Sequence, residues 1–185
     1  IAVANTTFYA TLAVPSHLIM AYVLAYLLNQ RIYARSLLRT VFYLPSIVPT
    51  ASSAMLWLWI LDTRFGLVNV TLASLGLRTI PWLAHPVWAK PSLILITLWY
   101  TGTSMVIFLA ALQDVPRDLY DAAKVDGTSW RQRLAHITIP LTTPAILFSL
   151  ITGLIGATQT FSLPYILTQG GPADSTLFYA LYLYR

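Results

Sequence analysis

The chain has 185 residues, 57% of them hydrophobic and 9% charged, with a formal net charge of +5. A soluble domain carries about a quarter charged residues, so a soluble globule is excluded. The charges leave windows 1–30, 40–61, 91–113 and 134–173 free of Asp, Glu, Lys and Arg, and about 20 apolar helical residues cross a hydrocarbon core of about 30 Å; an all-α, polytopic membrane helical bundle is therefore expected, as a single multi-pass domain.

In chain order, the first span is predicted over 7–28, with a kink at Pro15 and a polar exit at Asn29 and Gln30. A short loop with Arg31, Arg35 and Arg39 leads to the second span, 41–61. Pro45, Pro49 and the Ser52–Ser53 pair predict a bent start there, because proline frees backbone groups that neighbours must satisfy. Trp57 and Trp59 suit the interfacial aromatic belt at its far end. The segment 62–90 has an apolar stretch too short and interrupted to span, and is expected to lie along the membrane surface as one or two short helices. The third span is 91–112, the polar loop 113–142 follows, and the fourth span is 143–161. The chain starts inside an apolar stretch and residues 178–184 read as the beginning of another span, so both ends are expected to be trimmed.

Lys and Arg on alternate sides give orientation. Arg31, Arg35, Arg39, Arg117, Lys124, Arg131 and Arg133 stand on one side, against Arg64, Arg78, Lys90 and Arg185. The richer side is assigned to the cytoplasm, which places loop 113–142 there. These scattered arginines form no basic run, so nucleic acid is not expected as a partner. There is no cysteine, and His17, His85 and His136 share no ligand spacing; neither a metal nor a cofactor is expected. The predicted spans hold no Asp, Glu, Lys or Arg, and His17 is their one group that titrates near neutral pH. An ion-driven transporter usually places such groups in the membrane, so any driving energy is expected to arrive from outside it.

That turns attention to the loop. Asp114 ahead of Pro116 predicts a helix start, and Leu119, Ala122, Ala123 and Asp126 recur at helical spacing. Asp126–Gly127 predicts its end, with Gly127 left-handed. Ser129 and Gln132 form a capping box for a second helix carrying Trp130, Leu134 and Ile137 on one face, until Pro140 stops it. Such a hairpin either rests on lipid headgroups or presents a helix to a groove on a partner.

The stretch Tyr120-Asp-Ala-Ala-Lys-Val-Asp-Gly-Thr-Ser-Trp130, with Ile137-Thr-Ile-Pro140, resembles the EAA loop of inner-membrane permease subunits of binding-protein-dependent ABC importers. Residues 39–45, Gly66-Leu-Val-Asn69, Leu75-Gly76, Trp82-Leu83 and Tyr165-Ile-Leu-Thr-Gln-Gly-Gly-Pro172 with Thr176 are similar to the carbohydrate-uptake branch. Asp121 stands where that family usually has Glu, and Thr128 where it usually has Ala. The resemblance implies a multi-pass subunit of the inner (plasma) membrane that pairs with a second permease and receives a carbohydrate from an extracytoplasmic binding protein. It further implies that the loop docks on a cytoplasmic ATP-binding subunit through Asp121, Ala122, Ala123, Asp126 and Gly127. ATP hydrolysis would belong to that subunit, so this chain is not expected to be an enzyme.

On the fourth span Ser149, Thr152, Gly153, Gly156 and Thr160 share one face, which either lines a cavity or allows close packing. On the third, Trp99, Tyr100, Thr103 and Ser104 are the most polar cluster, and an aromatic beside hydroxyls suits a sugar ring. Tyr100, Thr103, Thr152, Gly153 and Thr160 are the candidate substrate-path residues. An ion-coupled secondary transporter and a structural subunit of a membrane complex are the competing readings.

Overall fold

A 28-residue helix, α1 (Ala2–Asn29), is the axis against which α5, α6 and α9 pack. Its buried face is lined by Ala10, Ala13, Ala21 and Ala25, small residues that let neighbouring backbones approach closely. Pro15 lies inside this helix without interrupting it. Beside it the Ser16 hydroxyl donates to the Leu12 and Ala13 carbonyls. The computed structural model describes residues 1–30 and 33–185; Arg31, counted above for orientation, lies outside the described residues.

The window 41–61 forms two helices, α2 (Arg35–Ile47) and α3 (Thr50–Ile60), bent by 99° at Val48 and Pro49. The bend thus falls in the middle of the predicted span, where Pro49 lacks the N–H that would continue α2. Outside the bundle, α4 (Leu67–Ser74) is the short helix of segment 62–90. Buried Asn69 organises that segment. Its Nδ2 donates to the carbonyls of Asp62, Thr63 and Ile80, and its Oδ1 accepts from Ile80 N–H at 3.0 Å and Trp82 Nε1 at 3.2 Å.

The third apolar window is also split, into α5 (Pro86–Trp99) and α6 (Gly102–Gln113), bent by 49°. Gly102 explains how α6 meets α2: a Cβ there would lie 2.6 Å from the Phe42 carbonyl oxygen and 2.8 Å from Tyr43 Cα. Met105, Phe108, Leu93 and Ile96, all at most 1% exposed, fill the core between α1, α5 and α6.

After α7 (Arg117–Val125) and α8 (Trp130–Arg133), a π-helical turn at 134–138 runs directly into α9 (Ile139–Thr158). Two expectations are corrected here. Asp114 does not cap α7; it closes α6, and Pro116 takes the N-cap position. Pro140 does not end a helix either. It is the second residue of α9, and the wider π turn before it accommodates a ring that would otherwise crowd the preceding carbonyl. Trp130–Thr158 is consequently one helix of 29 residues, long and apolar enough to cross a membrane, as is α1; α2 with α3, and α5 with α6, reach that length as bent pairs.

The short helices α10 (Ser162–Leu167) and α11 (Tyr179–Tyr184) follow, with α10 against α3 and α11 against α1. Asn5 Nδ2 donates to the Asp174 carbonyl at 2.7 Å, and Thr6 Oγ1 accepts from Tyr179 N–H at 2.9 Å, so the start of α1 is tied to this last segment.

Candidate functional site

The hairpin α7–α8 is closed by backbone geometry. Gly127, at φ 71°, takes the left-handed position, its N–H donating to the Lys124 carbonyl while Thr128 N–H reaches Ala123 O, both at 3.0 Å. This is the Schellman pattern of bonds that ends a helix. Thr128 adds a hydroxyl bond to the same Ala123 oxygen at 2.6 Å, which an alanine could not make. The capping box is present: Ser129 N–H donates to Gln132 Oε1 at 2.7 Å and Gln132 N–H to Ser129 Oγ at 3.4 Å. Two further bonds fasten the hairpin to the long helix, Arg133 Nη1 to the Thr128 carbonyl at 2.6 Å and Tyr120 OH with Thr138 Oγ1 at 2.9 Å.

The two alanines divide. Ala123 is buried against the hairpin, whereas Ala122 is exposed together with Asp121, Asp126 and Gly127. Asp121 Oδ1 accepts from Lys124 Nζ at 2.8 Å, and this neighbouring ammonium holds its carboxyl below the usual carboxylate range. Leu119 and Val125 are exposed on the same helix, Val125 at 88%. They join Ala122 in an apolar stripe at helical spacing, a feature that the alanines and acids of the motif overshadow in the sequence.

Within the bundle, a cavity of about 160 Å³ lies between α1, α5 and α9, lined by Tyr9, His17, Thr97, Gly153, Gly156 and Thr160 among others. Tyr9 OH and Thr97 Oγ1 are 2.7 Å apart. His17 bridges the break between α5 and α6, with Nδ1 3.3 Å from the Thr97 carbonyl and Nε2 3.0 Å from Ser104 Oγ. Gly153 lies against Val14, where a Cβ would be 3.0 Å from Cγ1.

Of the predicted path residues, Gly153 and Thr160 therefore share one cavity. Thr160 follows the end of α9, and its hydroxyl donates to the Gly156 carbonyl at 3.1 Å. Thr103 and Thr152 are exposed, and Thr152 returns its hydroxyl to the Phe148 carbonyl on its own helix at 2.9 Å. Tyr100 stands apart from that cavity, in a row of rings: Trp57 to Trp99 at 5.7 Å and Trp99 to Tyr100 at 5.6 Å. The Tyr100 hydroxyl and Trp57 Nε1 are buried with no hydrogen-bond partner among the described residues. Trp99 also lines a second cavity, of about 390 Å³, with Phe42, Pro45, Leu98 and Thr101.

Residues 5–185 match the family described as the binding-protein-dependent transport system inner membrane component. The chain belongs to this family. Among its curated relatives is the lactose transport system permease protein LacF of Rhizobium radiobacter, 40% identical over all of this chain and 63% of that protein. The sulfoquinovosyl glycerol transport system permease protein SmoG of Agrobacterium fabrum is 36% identical over 98% of this chain and 59% of its own length. The trehalose/maltose transport system permease protein MalF of Thermococcus litoralis is 36% identical over 92% and 58%. The chain thus spans about 58–63% of the length of these relatives. A solved bacterial alginate ABC transporter, in complex with an alginate pentasaccharide-bound periplasmic protein, superposes with a TM-score of 0.89 at 28% identity, covering all of this chain and 65% of the matched one.

The fold of this inner membrane component is therefore the helical permease fold of an ABC importer. His17, Tyr9 and Thr97 were not foreseen as a site. The pairing of α1 with α5 is non-local, and no spacing within either helix announces it.

Proposed function

We propose that the chain is the membrane-spanning core of a carbohydrate permease that couples to a cytoplasmic ATPase through α7. It would work beside a second permease and take its cargo from an extracytoplasmic binding protein. One observation carries this reading: the hairpin and the bundle cavity are joined by a single helix, Trp130–Thr158, which carries Gly153 and Gly156 into the cavity wall. A push on α7 reaches that wall through the tight Asp126–Ser129 turn and the Tyr120–Thr138 hydrogen bond, both of which lead into this one helix.

The four crossings in this reading are α1, the α2–α3 pair, the α5–α6 pair and the Trp130–Thr158 helix. Docking would use the exposed face of Leu119, Asp121, Ala122, Val125 and Asp126, with Gly127 setting its angle. The sugar would meet the Trp57, Trp99 and Tyr100 rings, whose unpartnered N–H and O–H suit a hydroxylated ring. Exposed Thr103 and Thr152 would be covered by the second permease, and Gly153 and Thr160 would move with the cavity. The names of the relatives, which carry lactose, trehalose or maltose and sulfoquinovosyl glycerol, support a glycoside cargo.

The test is uptake of labelled lactose, maltose and trehalose by vesicles containing the full-length protein and its companion subunits. Uptake is expected with internal ATP and no ion gradient. Loss of uptake on collapsing a proton or sodium gradient, with ATP held high, would overturn the reading in favour of ion coupling.

A further inference from the structure

Where α1, α2, α6 and α7 converge there is a cavity of about 590 Å³, lined by Asn29, Arg35, Leu112, Gln113, Arg117 and Tyr120 among others. Among the described residues, no acidic side chain lines it. Neither arginine forms an ion pair among the described residues, and Arg35 Nε and Nη2 are buried without a hydrogen-bond partner there. Arg35 and Arg117 are also the first residues of α2 and α7. Two helix N-termini, each the positive end of a macrodipole, therefore meet at this cavity together with two guanidinium groups. Neither terminus has a side-chain cap; α2 has no acid in its first turn, and the one acid in the first turn of α7, Asp118, does not line the cavity. The amides of Asn29 and Gln113 add neutral hydrogen-bonding groups, while the Tyr120 phenol, also in the lining, is engaged with Thr138 Oγ1.

The half-buried Arg35 guanidinium, with Nε and Nη2 unpartnered among the described residues, calls for an anion with several oxygens, and its planar fork matches phosphate. The cavity lies at the end of the bundle that the Lys and Arg distribution assigns to the cytoplasm, where the membrane itself supplies anionic phosphate groups; basic pockets between helices on that side hold lipid headgroups. We propose that this cavity binds the phosphate group of an anionic phospholipid from the cytoplasmic leaflet, clamped between Arg35 and Arg117. The site is separate from the sugar path and from the docking face of α7, and stands whether or not the cargo is a carbohydrate. Because Arg117 opens α7, an occupied site would also hold the root of that helix.

The experiment is native mass spectrometry of the full-length protein with its co-purifying subunits, titrated with dioleoylphosphatidylglycerol or dioleoylphosphatidylcholine. Wild type should retain phosphatidylglycerol about tenfold better than the Arg35→Gln/Arg117→Gln variant, with no such difference for phosphatidylcholine. Arg64→Gln/Arg78→Gln, which removes equal charge on the other side, should retain phosphatidylglycerol as wild type does. Arg35→Lys/Arg117→Lys guards against a folding defect and should retain an intermediate amount. Equal retention by wild type and the glutamine variant would overturn the proposal. So would a glutamine variant that sheds a companion subunit with lipid retention unchanged, since a protein carboxylate would then be the occupant. Inorganic phosphate that binds alone at concentrations matching the lipid would keep the phosphate site and overturn the lipid as its source.

Discussion

Two glycines, Gly127 and Gly102, show how differently a missing side chain acts. At Gly127 a Cβ would meet nothing within 4 Å, so the constraint is the positive φ alone. Asparagine tolerates that conformation and valine does not. Gly127→Asn should therefore preserve ATP hydrolysis coupled to transport. Gly127→Val, strained by more than about 1 kcal/mol, should abolish the coupling while the protein still inserts; a coupled Gly127→Val transporter would make the hairpin a passive surface element. At Gly102 the constraint is contact instead, because α2 backbone atoms lie 2.6 and 2.8 Å from where a methyl group would sit. Gly102→Ala should lower stability by about 1–3 kcal/mol, read as a lower Tm of the solubilised protein.

Asp62 gives a residue-scale test by pH. Its Oδ1 accepts the Arg64 and Phe65 N–H groups, both at 2.8 Å, and these bonds to the charged form hold its pKa below the ordinary value. A depressed folded-state pKa contributes stability that is present above the unfolded pKa and lost as pH falls through the folded one. The Tm difference between wild type and Asp62→Ala should thus be full at pH 7 and shrink as pH falls below about 4. A difference that persisted unchanged at pH 3 would show that the carboxylate charge plays no part in holding this turn.

At the scale of the element, the α5–α6 break is the feature most dependent on tertiary context. The chain has no proline between Trp99 and Gly102, and the apolar window there reads as one uninterrupted span. What marks the break is Gly102, which lets α2 approach, and His17, which arrives from α1 to touch both halves. Neither partner is identifiable without the fold. The loop hairpin was legible because its signals are local: a left-handed glycine, a capping box, and helical spacing of Leu119 and Ala122. Pro140 misled for the opposite reason, since a proline that is a stop signal in isolation can be absorbed by a π turn. Because hydrogen bonds between membrane helices average about 0.6 and reach about 1.7 kcal/mol, a double-mutant cycle of His17→Ala with Ser104→Ala should give a coupling in that range. A coupling near zero would mean that the break holds without the bridge.

At the scale of the whole molecule, the 29-residue Trp130–Thr158 helix links the α7–α8 hairpin to the wall of the bundle cavity. Two glycines on that wall separate blockage from misfolding. Gly153 is in contact with Val14, so a larger residue there would push α9 from α1; at Gly156 a Cβ meets nothing within 4 Å. Gly156→Val should fit, fill part of the cavity of about 160 Å³ and leave stability within about 0.5 kcal/mol of wild type, read as a nearly unchanged Tm. If the cavity must change shape during transport, that variant should assemble and hydrolyse ATP at the basal rate yet lose sugar uptake by about tenfold or more, equivalent to about 1.4 kcal/mol on the transport barrier. Gly153→Val should instead lower Tm and uptake together. Normal uptake by Gly156→Val would make the cavity a static packing gap, and coupling through α9 would then not involve a change at the α1–α9 contact.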